Sequence, residues 1–94
     1  MRAWQVSELG NPIDVLKLCD VEQIDNPASG HVQVSIKAVG ISFPDVLQCR
    51  GEYQIKPQLP WTPGGESAGV VTKIGEGVTD ISPGDRVMML GGGL

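Results

Sequence analysis

Ninety-four residues make one domain at most, and a chain of that length buries only a modest core. Thirteen glycines, about twice ordinary usage, and seven prolines disfavour long helices and favour short strands joined by turns. A net charge of −4 without a basic run excludes phosphate-backbone binding as the main task, and one Phe, one Tyr and two Trp are too few for a base-stacking platform, so no nucleic-acid partner is expected.

The apolar segments are too short for a transmembrane helix, and the opening "MRAWQVSELG" lacks the apolar run of a secretory leader. No membrane partner is expected. Cys19 and Cys49 stand apart and read as reduced thiols, which places the chain in the cytoplasm.

In chain order, "MRAWQVSE" reads as a first strand and "LGNP" as a turn. In "VLKLCDVE", Val15, Lys17, Cys19 and Val21 alternate with Leu16, Leu18, Asp20 and Glu22, so neither face of that strand is purely polar. "DNPASG" is a turn. "HVQVSIKAV" is the clearest strand: Val32, Val34, Ile36 and Ala38 predict a buried face, and Gln33, Ser35 and Lys37 a wet one. Gly40 ends it. "FPDVLQCRG" predicts one short helix, with Ser42 or Phe43 before it, Pro44 at its first position, Asp45 at its positive end and Gly51 as its cap. Three prolines between Lys56 and Pro63 impose an irregular loop. "ESAGVVTKIG" returns to strand, "EGVTD" and "SPGD" turn, and "RVMML" is a last strand before "GGGL". Five or six strands, one short helix and a long loop predict a mainly β domain, an antiparallel barrel or sandwich. A strand that runs into "GGGL" with no capping segment predicts that residues 1–94 are a truncated domain.

Three stretches together carry a family likeness: "AVGISFPDVLQCRGEY", "PWTPGGESAGVVTKIGEGV" and "ISPGDRV". Their order resembles the N-terminal GroES-like domain of the medium-chain dehydrogenase/reductase superfamily. The resemblance implies a partly open antiparallel β-barrel whose nucleotide-binding domain is absent from this chain. Zinc-dependent members place a Cys after the Gly-Ile/Val pair and a His before the Glu of the second stretch. Here those positions hold Ser42 and Gly65, which cannot replace thiolate or imidazole, so no metal is expected. The chain is therefore similar to the zinc-independent, quinone oxidoreductase-like branch. That branch often has Asn where Ser42 stands, and Ser has the shorter reach.

The likeness implies hydride transfer from NADPH to a quinone or activated enone, a small-molecule substrate. NADPH would be held mainly by the missing domain, the fragment alone would be inactive, and the full-length protein would be a homodimer. No catalytic residue is firmly assigned. The cofactor and substrate cleft implied by the resemblance takes Ser42, Phe43, Asp45, Arg50, Tyr53, Gly65 and Glu66.

Each polar member also has a plainer reading. Asp45 is a helix-N-terminal carboxylate favoured by the helix dipole, worth about 0.3–1 kcal/mol. Tyr53 is a half-buried loop aromatic, Glu66 a hydrogen-bonded carboxylate at a strand entry, and Arg50 a loop brace. Cys49 has no His partner nearby, since His31 sits at a distant strand start, and reads as structural. The runs "GGESAGVV" and "GEG" lack Gly-x-Gly-x-x-Gly between a strand and a helix. A co-chaperonin-like module or a structural protein on the same barrel is the alternative function. The stiff Pro-rich loop does not suit a co-chaperonin's mobile loop.

Overall fold

The computed structural model describes residues 1–91. The chain is mainly β: the described residues form five strands in two open antiparallel sheets and two short helices. In the first sheet β1 (Arg2–Val6) pairs with β2 (Leu16–Asp20), in a register that runs from Arg2 opposite Asp20 to Val6 opposite Leu16. In the second, β4 (Glu66–Ile74) lies between β3 (Val32–Gly40) and β5 (Arg86–Leu90). Among the described residues the two sheets do not close on one another, in keeping with the partly open arrangement expected. Of "GGGL", residues 92–94 lie outside the described residues.

The helices show where local sequence decides. α1 (Pro12–Val15) is a single turn where the sequence predicts only a bend. Asn11 before it and Pro12 at its first position are ordinary start residues, so the start is legible but the length is not. Val15, read as strand, therefore sits in α1, where it is buried, and β2 begins one residue later. α2 (Phe43–Arg50) is the predicted helix. Ser42 is its N-cap and Pro44 falls in its first turn. Gly51 closes it in the left-handed conformation (φ 72°, ψ 21°). The N–H groups of Gly51 and Glu52 donate to the carbonyls of Gln48 and Leu47 at 3.1 and 2.9 Å, which satisfies the last turn.

The clean two-faced pattern expected of β3 is not what folds. Val32 to Ile36 are all half-buried, whereas Lys37 and Ala38 are both exposed. Register shifts between Gln33 and Val34 and between Ile36 and Ala38 explain this, because each irregularity hands the next side chain to the other face.

A hydrophobic cluster lies against the first sheet. Val6, Val15 and Cys49 are buried together, with Leu16, Leu59 and Trp61 against them. Val6 and Trp61 also exchange backbone hydrogen bonds, Val6 N–H to Trp61 O at 2.8 Å and Trp61 N–H to Val6 O at 2.9 Å. The irregular Pro-rich loop, which includes a cis Leu59–Pro60 peptide, is thereby tied to β1. The turn "SPGD" tightens β5 against β4: Asp85 accepts the Ser82 N–H at 2.9 Å, and Gly84 N–H donates to Val71 O at 2.8 Å.

β5 is an edge of its sheet, and Met88 and Leu90 on it are 89% and 93% exposed. An open edge carrying apolar side chains invites pairing with another chain. A domain of this size holds roughly 5–14 kcal/mol at about 0.05–0.15 kcal/mol per residue. The 94-residue chain is expected to be marginally stable alone or to associate through this edge. Sedimentation should then change with concentration. A strict monomer that melts sharply at about 60 °C or above, the upper ordinary range, contradicts this. Gly51→Ala is expected to cost about 1–2 kcal/mol, read as a shift of the urea midpoint, since L-residues pay that penalty in the left-handed region.

Candidate functional site

Five of the seven candidate residues gather where β3 ends, α2 begins and β4 starts. Gly40 closes β3, and two residues later Ser42 caps α2. Asp45, at the third position of the helix, is only 5% exposed. One of its carboxylate oxygens, Oδ2, accepts the Ser42 N–H at 2.9 Å, as the third residue of a capping box does. The other, Oδ1, accepts the Gly64 N–H at 3.1 Å, nineteen residues away. Gly64 has φ 113°, and Gly65 lies beside the same carboxylate, its missing Cβ position 4.0 Å from Asp45 Oδ1.

Glu66 opens β4, exposed, between Gly40 on one side and Leu90 on the other. Gly40 leaves it room: a Cβ there would stand 2.7 Å from Glu66 Cγ. An open groove of about 650 Å³ runs along this end of the sheet, bordered by Gly40, Glu66, Ser67, Met88, Met89 and Leu90. Ser67 Oγ donates to Gly91 O at 2.6 Å and Gly91 N–H donates to Gly65 O at 2.7 Å, which knits the entry of β4 to the end of β5.

The seven candidates thus divide. Ser42, Phe43, Asp45, Gly65 and Glu66 come together at the N-terminal end of α2. Phe43 is 66% exposed. Arg50 and Tyr53 lie at and beyond the other end. Arg50 Nε donates to Asn11 Oδ1 at 3.0 Å, joining α2 to the cap of α1, and Tyr53 is half-buried. Three neighbours escaped the sequence reading: Gly64, Asn11 and Ser67. Gly64 precedes Gly65 in the quoted motif, but its pairing with Asp45 is long-range and leaves no local pattern.

The donors at the two positions where the resemblance implies zinc ligands do not fit that ion. Ser42 offers a hydroxyl and Gly65 no side chain, while the adjoining carboxylate already accepts two backbone N–H groups. Cys49, one turn along α2 from Asp45, is 2% exposed. Burial pushes its thiol above the ordinary value, and the negative charge of Asp45 pushes the same way. It is a packing thiol rather than a nucleophile.

Residues 28–92 match the family model of the alcohol dehydrogenase GroES-like domain. The chain belongs to that family. Its relatives place this GroES-like domain in the medium-chain dehydrogenase/reductase superfamily. It is 42% identical over 96 residues to a quinone oxidoreductase-like protein 2 homolog of Nematostella vectensis, covering 99% of this chain and 26% of that protein. It is 39% identical over 87 residues to the quinone oxidoreductase of Rattus norvegicus, covering 93% and 26%. Among solved structures, the Escherichia coli quinone oxidoreductase complexed with NADPH superposes with a TM-score of 0.81 at 37% identity, covering 94% of this chain and 26% of that one. The chain spans about a quarter of the length of these relatives. No helix among the described residues is long and apolar enough to cross a membrane.

The raised Cys49 thiol has a pH consequence with a definite sign. The fold prefers the neutral thiol, so this contribution is intact below the ordinary thiol pKa of about 8.5 and is lost as pH rises through the higher folded value. The urea midpoint of the wild-type chain should therefore fall more between about pH 8 and pH 10 than that of Cys49→Ala. At about pH 8, iodoacetamide should alkylate half-buried Cys19 before Cys49, as read by mass spectrometry of peptides.

Proposed function

We propose that this GroES-like domain forms one wall of the active cleft of a zinc-independent, NADPH-dependent quinone or enone oxidoreductase. The observation that carries the reading is the pair Ser42 and Gly65, which stand where a zinc-dependent relative would need thiolate and imidazole, with Asp45 tying Ser42 to Gly64, the residue before Gly65. Support comes also from the quinone oxidoreductases among its relatives.

NADPH, when bound, supplies the hydride. This chain's residues receive the acceptor. Phe43 and Ser42 are exposed; in this reading Phe43 would offer an apolar face to a flat ring, and the Ser42 hydroxyl would donate to the acceptor oxygen as it gains charge. A quinone that accepts hydride and then a proton from water leaves as hydroquinone, which balances the step without a metal or protein nucleophile. The Gly-x-Gly-x-x-Gly cradle for the pyrophosphate does not occur in these 94 residues, so NADPH binding rests mainly on a further domain and the 94-residue chain alone is inactive. The full-length protein is proposed to be a cytoplasmic homodimer.

The test is NADPH oxidation with 1,4-benzoquinone by the full-length protein that carries this chain, after chelator treatment. The rate is expected to stay within about twofold of the untreated protein, with zinc well below stoichiometric by elemental analysis. Loss of activity with chelator and recovery with zinc would overturn the reading.

A further inference from the structure

A buried carboxylate is stable only when hydrogen bonds or a cation replace the water it loses. Asp45 is buried, and the cation on its own helix, Arg50, is engaged with Asn11. Its bonds go instead to two backbone amides that belong to different parts of the chain, those of Ser42 and Gly64. The first tie is local and caps α2. The second is not needed for any helix or strand. It fixes a segment that is otherwise irregular, from Trp61 to the start of β4, at a glycine with φ 113°.

We infer that Asp45 is a positioning residue: its carboxylate clasps Gly64 to the start of α2 and so sets the distance between Ser42 on one side of the cleft and Gly65–Glu66 on the other. The inference rests on the oxidoreductase reading for its effect on turnover, though not for the clasp itself. Asp45 does not touch substrate in this role; it acts through Ser42 and Gly64.

The chemistry of the alternatives makes the clasp separable. Glu is a favoured third residue of a capping box, so Asp45→Glu keeps the charge and the tie to Ser42 and should fold. Its extra methylene moves the second oxygen off Gly64. Asp45→Asn keeps the shape but has one acceptor oxygen for two N–H groups, and its amide group faces one of them donor to donor.

Both variants are made in the full-length protein. Amide hydrogen exchange is read at Ser42 and Gly64, and kcat and KM are read with 1,4-benzoquinone together with the NADPH Kd. In Asp45→Glu, Gly64 is expected to lose at least about tenfold in protection while Ser42 keeps its own. The kcat/KM for quinone should fall at least about tenfold and the NADPH Kd should stay within about twofold. Asp45→Asn should show the same fall in kcat/KM with at least one of the two amides deprotected. If Gly64 keeps its protection in a folded Asp45→Glu, the clasp is wrong. If protection is lost and kcat/KM stays within about twofold, Asp45 is merely structural and the inference is overturned. If the wild-type protein reduces no quinone, the functional reading fails on its own, and the exchange arm decides the clasp. Should Asp45→Asn fail to fold, the glutamate variant carries the test alone.

Discussion

Two hydrogen bonds to one buried carboxylate tie together the two chain segments that border the candidate site. Asp45 lies at the beginning of a helix, where amide groups point outward without intrahelical partners. Its charge suits that end of the helix, and its second oxygen reaches a glycine in an irregular segment nineteen residues on. That reach ties the irregular segment before β4 to the start of the helix. Gly65 and Glu66 follow the clasped glycine, Glu66 folds over Gly40, and Gly91 then hydrogen-bonds Gly65. A repetition of the local half is visible at the other turn, where Asp85 accepts the Ser82 N–H three residues before it. There the carboxylate is exposed and merely shapes a turn. The same spacing serves two ends because burial, not spacing, decides what the second oxygen does.

Much of this is legible in the order of residues alone. The helix from Phe43 to Arg50 announces itself through Ser42, Pro44, Asp45 and Gly51, each acting within one turn of its own position. The strands from Glu66 and Arg86 are short apolar runs bounded by Gly and Pro. What cannot be read is non-local. The irregularities in β3 arise from how it meets β4, and they undo the alternation written into Val32, Val34, Ile36 and Ala38. The turn of helix at Pro12 depends on Val15 finding Val6 and Cys49 to pack against. In the site, Ser42 and Gly65 stand out by likeness, whereas the bond between Asp45 and Gly64 shows in neither likeness nor periodicity.

The division of the candidate residues follows from the helix itself. Eight residues set the two ends of α2 in different surroundings, one beside the glycines and Glu66, the other beside Asn11 and Leu9. Arg50 therefore lies at the end tied to the α1 segment, where Gly10 N–H also donates to Cys49 O at 2.8 Å. Cys49 is buried near the anchored end, while Phe43 and Glu66 are exposed at the cleft end. That is a reasonable division for a scaffold that holds a site steady while leaving it accessible.

The reciprocal bonds between Val6 and Trp61 join residues 55 positions apart (61 − 6). Protein chains are made from the N-terminus, at about 5–20 residues per second. The residues of β1 and β2 are thus synthesised several seconds before Trp61. A two-stranded ribbon alone is marginal in water, and this one keeps Trp4 and Leu18 partly exposed even when folded. During synthesis roughly the first fifth of the chain therefore waits for Cys49, Leu59 and Trp61 to complete the cluster around Val6 and Val15.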